Sequence, residues 1–384
     1  MNFDFSDEQE QFRDQIRRFL DKSDGLGEAR KLLEGNSENY SAATWSGLVE
    51  MGVPAIAIPE DYGGLGLGAL ELCVVAEEIG RTLAPVPFLS SVGLCSQAIS
   101  LYGSDEIKER WLPRLANGST IGTWAAAWDN RSGRHAQPAL ISGERLSGVK
   151  APVLDAMAAR IAIVSAQNEA GQPLLVLCDL DQPEVTRTPV TTLDPTRPAA
   201  RISFEGARVE ILSDDPDAWN LLRDHAAVLL AFEQLGAAET ALVMAKEYAL
   251  DRFAFGRKIG SFQAIKHKLT DMYVGIQLAR SHCYYGAWAI STQAAETPLA
   301  AAGARCSATD AFDYAAQENI HIHGGIGVTW ESNCQFFYRR ARLDALILGS
   351  RLEWQDRLVD ALTAKASVAE MVWTKARTKA PAGR

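Results

Sequence analysis

Residues 248–272 read YALDRFAFGRKIGSFQAIKHKLTDM, and the interpretation of the whole chain starts from this stretch. In it Arg252, Phe255 and Gln263 bracket two glycines, Gly256 and Gly260. A guanidinium pairs with phosphate through two hydrogen bonds, a phenyl ring covers another ring, and a primary amide both donates and accepts. The set therefore suits a dinucleotide. The alternative is a helix that ends at a glycine beside an ordinary surface arginine.

The sequence around this stretch is Ala-rich and periodic. Its apolar spacing predicts helices over 219–251, 262–296, 299–322 and 350–364, separated by Gly256, Gly260, Pro298 and the pair Gly324-Gly325. Long helices joined by short breaks predict a helical bundle.

The middle of the chain has a different texture. From about Ile121 to Leu212 the apolar runs shorten to four to six residues between Pro, Gly, Asp and Ser, which predicts a small all-β unit. We expect strands at Ile161–Ser165, Leu174–Cys178, Arg201–Phe204 and Val209–Leu212. The first third is helical in pattern, with Ser6 followed by Asp7, Glu8 and Gln9 supplying a cap and first-turn acids for its first helix. This order predicts an α+β fold and excludes a doubly wound nucleotide-binding sheet.

Composition excludes several classes of protein. The 384 residues carry 38 Lys+Arg against 48 Asp+Glu, a net charge of −10, so nucleic acid and anionic membranes are not expected as partners. No window of about 18 uncharged apolar residues appears and the start is acidic, so we expect a cytoplasmic protein. The six cysteines lie singly among apolar neighbours, and we interpret them as reduced core residues.

Two further segments could contribute to a site. His321-Ile322-His323-Gly324-Gly325 closes a helical run, and its glycines allow a ligand close to the backbone. The two histidines lack a third ligand nearby, so we predict no metal site. Residues 337–343, FYRRARL, are interpreted as a solvated basic helix face.

Together these segments resemble the acyl-CoA dehydrogenase family of flavoproteins. The resemblance covers nearly the whole chain and rests on six blocks: FDFSDEQEQFRD (3–14), IPEDYGGLGLGALELCVVAEEIGR (58–81), GSDEIKERWLPRLANG (103–118), residues 248–272, HGGIGVTWE (323–331) and YRRARLDALILGS (338–350).

The resemblance implies an N-terminal helical domain (1–119), a middle β domain (120–215), a C-terminal four-helix bundle (216–364) and a basic tail (365–384) that we expect to be disordered. It also implies an oligomer, usually a dimer of dimers, with FAD between the domains. In such proteins the matching residues reach the adenine-side half of FAD in a neighbouring subunit; here they are Arg252, Phe255, Gln263, His321, Gly324 and Gly325. His321 replaces the usual Gln, and a neutral imidazole still donates and accepts one hydrogen bond each.

The implied reaction is α,β-dehydrogenation of an acyl-CoA thioester, which needs a carboxylate as base. The usual base position falls on Leu348, and the position that a minority of members use falls on Ala226. Glu233 lies seven residues after Ala226, about 10 Å along the helix, and we interpret it as a polar residue making a local pair. The catalytic residue is therefore unknown from the sequence.

The flavin-ring motifs also depart from the family pattern, at residues 126–133 and 151–154. Residues that serve a neighbour's FAD are present, whereas those that serve the chain's own FAD are missing. The chain thus resembles the non-catalytic companion subunit of heteromeric bacterial members that degrade fatty acids or steroid side chains, a heterotetramer in which a second chain of the family carries the base. An electron-transferring flavoprotein is the expected acceptor.

Three alternatives stay open at this point. The chain is a self-sufficient homotetrameric dehydrogenase with an unplaced base, a flavin monooxygenase on the same scaffold, or a silent subunit that binds no flavin. The acyl group is not readable from the sequence, because a methylene difference is worth only about 1–3 kcal/mol.

Overall fold

The structure is a computed structural model that describes residues 5–35, 39–126 and 138–364. Its N-terminal part is helical, with α1 (Asp7–Lys22), α2 (Gly25–Leu33), α3 (Ala42–Glu50), α4 (Ala69–Thr82), α5 (Gln97–Tyr102) and α6 (Asp105–Ala116). The predicted cap of α1 is confirmed: Ser6 Oγ accepts from the Gln9 N–H at 3.3 Å, and Gln9 Oε1 accepts from the Ser6 N–H at 2.9 Å. A buried π-helical segment, Phe88–Ser96, precedes α5.

The middle of the chain forms a sheet of strands β1 (Gly122–Ala125), β2 (Ala139–Ser142), β3 (Arg145–Leu154), β4 (Ile161–Asn168), β5 (Pro173–Asp179), β6 (Val185–Val190) and β7 (Ala199–Ser213). The pairings β2–β3, β3–β7, β7–β5, β5–β4 and β4–β2 form a closed ring, so the sheet is a barrel. β1 and β6 pair with β4 and β7. Because the ring is closed, none of these five strands lies at an open edge of the sheet.

The sequence prediction split β7 into two strands, Arg201–Phe204 and Val209–Leu212, and this was wrong. The structure has one strand of 15 residues that bends at Gly206, whose φ is 76°. Its first half pairs with β3 and β6 and its second half pairs with β5. Strand β3 was not predicted, because Gly148 and Pro152 interrupt it and such residues are typical of turns.

The C-terminal part is again helical: α7 (Ala218–Asp251), α8 (Gln263–Ser291), α9 (Thr297–His323), α10 (Cys334–Asp344) and α11 (351–364). A short hairpin of β8 (Phe253–Ala254) and β9 (Arg257–Lys258) connects α7 to α8. The predicted α+β class, with helices on both sides of a β unit in the sequence, is confirmed.

Helix α7 packs against α4 at two glycines. A Cβ on Gly80 would meet the Glu233 carbonyl oxygen at 1.8 Å, and a Cβ on Gly236 would meet the Glu77 carbonyl oxygen at 2.0 Å. Only glycine allows the two backbones to approach this closely. The contact joins the N-terminal helices to the C-terminal bundle and fixes where Glu233 lies.

Helix α7 is also long and apolar enough to cross a membrane. In this structure 72% of its most apolar 18-residue window is buried against other parts of the chain. That burial is typical of the core helix of a folded domain, and the length of α7 is weak evidence for a membrane span.

Candidate functional site

The β8–β9 hairpin presents Phe255 at its tip. Phe255 and Gly256 both have positive φ, 53° and 80°, as in the two-residue turns that connect right-twisted strands. The phenyl ring is 95% exposed. A large apolar side chain held outward on a strained backbone is typical of a contact site.

Arg252 and Gln263 lie on either side of this hairpin. Arg252 follows the last residue of α7, and its N–H donates to the Tyr248 carbonyl at 2.9 Å. Gln263 is the first residue of α8. Both side chains are exposed, so the guanidinium and the amide are free to meet a ligand outside this subunit.

His321, Gly324 and Gly325 lie at the end of α9. His321 Nδ1 is 3.3 Å from Glu318 Oε2, which also accepts from Lys268 Nζ of α8 at 2.7 Å. Gly324, with a φ of 62°, ends the helix. A Cβ on Gly324 or Gly325 would meet nothing within 4 Å, so the backbone there is open to a ligand.

These segments come together at one end of the bundle. The Tyr248 and His323 rings stack with centroids 4.1 Å apart, which places the last turn of α7 against the last turn of α9. The structure thus exposes at one end of the molecule the six residues that the resemblance assigns to FAD: Arg252, Phe255, Gln263, His321, Gly324 and Gly325. Their contact with FAD stays a prediction.

The paired histidines have separate contacts. His323 Nδ1 lies 2.8 Å from the Asn319 carbonyl oxygen, so this nitrogen carries the proton and donates. Among the residues that the structure describes, no group of three His, Cys, Asp or Glu side chains is placed to hold a metal ion.

The usual base position, Leu348, is buried. Its side chain is 2% exposed and its backbone is left-handed, with a φ of 64°. The Leu348 carbonyl accepts from Arg223 Nε at 2.7 Å and from Trp354 Nε1 at 3.1 Å, which holds this conformation. Ala226, the alternative base position, is fully buried in α7. Neither position offers a proton acceptor.

Leu348 lines a small cavity between the barrel and the helices. The cavity has a volume of about 20 Å³, which is room for about one water molecule. It is lined by Leu89, Ser90, Leu94, Thr123, Trp124, Pro152, Leu154, Ile347 and Leu348. Within the part of the chain that the structure describes, the lining contains no carboxylate, and its two hydroxyls donate within the protein, Thr123 Oγ1 to the Leu154 carbonyl and Ser90 Oγ to Asp155.

Pro152 and Leu154, from the predicted degraded ring motif at 151–154, lie in this lining. The Trp124 ring closes another side and packs on Trp219 with centroids 4.0 Å apart. The other predicted ring motif, residues 126–133, falls outside the described residues except for Ala126.

Glu233 is bound by two arginines inside the protein. Arg197 Nη1 donates to its carboxylate oxygens at 3.0 and 3.2 Å, and Arg340 Nη1 donates at 3.1 Å. Its side chain is 4% exposed. The local pair expected from the sequence was wrong, because both partners come from distant segments. Glu233 is accessible neither to solvent nor to the cavity lining.

Arg340 was expected on a solvated basic face, and this too was wrong. Its guanidinium is buried, and it donates to Asp194 Oδ2 at 2.7 Å and to Thr196 Oγ1 at 2.9 Å besides Glu233. Burying a charged group costs desolvation free energy, and ion pairs and hydrogen bonds of this kind are needed to offset that cost.

Two more buried carboxyl groups border this network, Asp155 and Asp344. Burial raises the pKa of both, and the pKa of Asp344 reaches about 8 because Glu233 is also near. Both carboxylate oxygens of Asp344 lack a hydrogen-bond partner among the described residues. Sequence reasoning missed this cluster. The only local signal was the spacing of Arg340 and Asp344, four residues apart on α10.

Comparison with known proteins identifies the family. Residues 6–119 match the acyl-CoA dehydrogenase N-terminal domain, and residues 222–359 match the C-terminal domain. Acyl-CoA dehydrogenase IpdE2 of Mycobacterium tuberculosis is 33% identical over 355 residues, 92% of this chain and 96% of that protein.

Two solved structures are similar over 94% of this chain and 99% of their own chains. The ChsE4–ChsE5 complex from Mycobacterium tuberculosis has a TM-score of 0.86 at 27% identity, and a variant of the Tcur3481–Tcur3483 steroid ACAD has a TM-score of 0.85 at 29% identity. By sequence and by fold, the chain belongs to the acyl-CoA dehydrogenase family of oxidoreductases that act on acyl-CoA.

Proposed function

We propose that this chain is the base-lacking companion subunit of a hetero-oligomeric, FAD-dependent acyl-CoA dehydrogenase. One observation carries the proposal: Leu348, at the usual base position, lines a cavity of about 20 Å³ whose described lining residues include no carboxylate. The α,β-dehydrogenation of an acyl-CoA thioester then depends on a base that the partner subunit supplies.

The exposed end of the bundle has the chemistry to hold the adenine-side half of an FAD shared with that partner. Arg252 would pair with phosphate, Phe255 would cover a ring, and Gln263 and His321 would hydrogen-bond polar edges. Gly324 and Gly325 leave room for close approach to the backbone. When bound, FAD supplies the hydride acceptor of the reaction; the residues of this chain bind and orient it.

The cavity beside Leu348 does not suit a flavin ring. A ring system of three fused cycles needs far more than the space of about one water molecule, and Trp124, Pro152 and Leu154 occupy the walls. The fit at the bundle end and the misfit at the cavity together support a chain that shares a neighbour's FAD and lacks its own.

The relatives support the hetero-oligomer. The ChsE4–ChsE5 structure is described as a complex, and the Tcur3481–Tcur3483 protein, also named by two chains, is described as a steroid ACAD. By analogy we propose a second family subunit for this chain and a bulky, steroid-like acyl group for the pair. We further propose a cytoplasmic enzyme that passes electrons to an electron-transferring flavoprotein, with domains at 1–119, 120–215 and 216–364, and a basic tail at 365–384 that lies outside the described residues.

The first experiment measures FAD per protein from absorbance near 450 nm. Expressed alone, the chain should hold little FAD; co-expressed with a partner subunit, an acyl-CoA dehydrogenase-family chain that carries a Glu at a base position, it should hold about one FAD per pair. A yellow homotetramer with stoichiometric FAD from this chain alone would overturn the companion role.

The second experiment tests Arg252 in the complex. Loss of a charge-assisted hydrogen bond in Arg252→Ala should weaken FAD binding by about 1.5–3 kcal/mol, roughly tenfold or more. Arg252→Lys should rescue only part, because an ammonium lacks the planar fork. Arg18→Ala is the control, since Arg18 is an exposed arginine on α1. Equal FAD affinity in the Arg252 and Arg18 variants would show that Arg252 is an ordinary surface residue that does not bind FAD.

A further inference from the structure

Helix α2 is bound to a segment some 300 residues later in the chain. Arg30 Nη1 donates to the Trp330 carbonyl at 2.7 Å, and Arg30 Nη2 donates to the Glu331 carbonyl at 3.3 Å and to Asn333 Oδ1 at 2.9 Å. Its guanidinium also lies over the Phe336 ring, 5.0 Å from the centroid. One side chain thus contacts three residues of a loop, Trp330, Glu331 and Asn333, and the helix that follows it.

Neighbouring contacts reinforce the same connection. The Trp330 carbonyl accepts a second hydrogen bond from Gln335 Nε2 at 2.8 Å, and the Trp330 indole donates to Glu34 Oε1 of the α2 end at 3.4 Å. We call the residues from 324 to 333 the glycine loop. The glycine loop begins with Gly324 and Gly325. It ends at Asn333, whose side chain accepts a hydrogen bond from Arg30.

The first five residues of the glycine loop, Gly324–Val328, form a 3₁₀ helix, but most large side chains of the loop are exposed. Ile326, Val328 and Trp330 are 48%, 72% and 45% exposed, although Gly327 is buried. Ordering a residue costs backbone entropy, and a loop that opens with two glycines loses more freedom than most. The polar contacts with Arg30 hold the second half of the glycine loop, which follows this 3₁₀ helix.

We propose that Arg30 is a positioning residue for cofactor binding: it holds the glycine loop in the arrangement in which Gly324 and Gly325 accept the shared FAD. This inference rests on the proposed function, because it takes the exposed bundle end as the FAD contact. Arg30 itself lies on another element and acts through the loop. Pre-ordering the loop lowers the entropy cost of binding.

The experiment compares Arg30→Ala, Arg30→Lys and Asn333→Ala with the control Arg18→Ala, in the full chain and in its complex with the partner subunit. Three quantities are measured: amide hydrogen exchange of residues 324–333, the dissociation constant for FAD, and the unfolding midpoint. We expect Arg30→Ala to speed exchange in the glycine loop and to weaken FAD binding about tenfold, with an unfolding midpoint close to that of Arg18→Ala.

Arg30→Lys and Asn333→Ala separate a positioning role of Arg30 from a general effect on stability. Arg30→Lys should keep part of the FAD affinity, because an ammonium still reaches one carbonyl but cannot span three acceptors. Asn333→Ala removes one of the three hydrogen bonds and should give a smaller loss than Arg30→Ala. If Arg30→Ala fails to fold, these two variants decide the question.

Each outcome distinguishes the two proposals. If the wild-type complex holds FAD and the Arg30 variants hold it equally well, the positioning role is refuted and the companion role stands. If exchange in the glycine loop is unchanged in Arg30→Ala, the role is refuted as well. A wild-type complex without FAD overturns both proposals.

Discussion

At the scale of single residues, two buried arginines show that Glu233 is a structural residue and not a catalytic base. Two guanidinium groups, from Arg197 and Arg340, donate to its carboxylate at 3.0–3.2 Å. A base must come within about 3 Å of the proton that it takes, and a carboxylate enclosed by two arginines has no such approach. Glu233 therefore links α7 to two other segments: to Arg197, which precedes β7 of the barrel, and to Arg340 of α10.

We expect Glu233→Gln to lower the free energy of unfolding by about 3–5 kcal/mol, because it leaves Arg197 and Arg340 without their shared counter-charge. Urea unfolding of the purified chain measures this. The control is Glu247→Gln, an exposed glutamate on the same helix. Unchanged stability together with lost turnover in the complex would instead make Glu233 the base.

Asp344 makes stability depend on pH. Its pKa in the folded protein is about 8, above the ordinary value of 3.8, because it is buried beside Glu233. Between about pH 4 and pH 8 the folded state therefore binds more protons than the unfolded state, so stability falls as pH rises through this window, by at most about 1.4 kcal/mol per pH unit. Arg340, Arg197 and Asp194 are the other charges that act on it.

We expect Asp344→Asn to reduce this slope, since the amide has no proton to release; the raised pKa of Asp155 leaves a smaller slope of the same sign. Chemical unfolding at a series of pH values from 4.5 to about 8.5 tests it, and Asp271→Asn, an exposed site on α8, is the control. The same slope in wild type and Asp344→Asn would show that another buried group carries the dependence.

At the scale of elements, the crossing of α4 and α7 depends on glycine. A Cβ at position 236 would lie 2.0 Å from the Glu77 carbonyl oxygen, and backbone on both sides has little freedom to move. The same crossing fixes the position of α7, and hence of Ala226 and Glu233.

We expect Gly236→Ala to destabilise the chain by about 1–3 kcal/mol or more. Gly275→Ala on α8 is the matched control: its Cβ would meet nothing within 4 Å, so the better helix propensity of alanine should raise stability by about 0.5–1 kcal/mol. Thermal unfolding of both variants compares them directly. A neutral Gly236→Ala would mean that α4 and α7 can separate at little cost.

At the scale of the whole molecule, the small size of the cavity beside Leu348 predicts that restoring the family's carboxylate does not restore activity. Leu348→Glu places a charge among apolar side chains and should destabilise the isolated chain without producing dye reduction with an acyl-CoA. In the complex, replacing the partner's catalytic Glu by Gln should lower turnover by about 10²-fold or more. Turnover by the isolated Leu348→Glu chain would contradict the companion role.

The sequence by itself determined the order of helices, strands and helices and the places where several of them end. These follow from local signals: apolar period, the Ser6 cap, and glycines such as Gly256 and Gly324 that end elements. Local signals act between residues a few positions apart, so they are readable without a fold. The family blocks added the expectation that Leu348 and Ala226 cannot act as bases.

Only the tertiary structure decided the role of Glu233, the burial of Arg340, the continuity of β7 and the size of the cavity. Arg197 and Arg340 are 36 and 107 residues from Glu233, and Arg30 is some 300 residues from the loop that it holds. Whether a charge is solvated or buried, and whether apolar side chains fill a site, depends on which distant segments pack together. Packing is a property of volumes in three dimensions, and no local pattern in the chain encodes it.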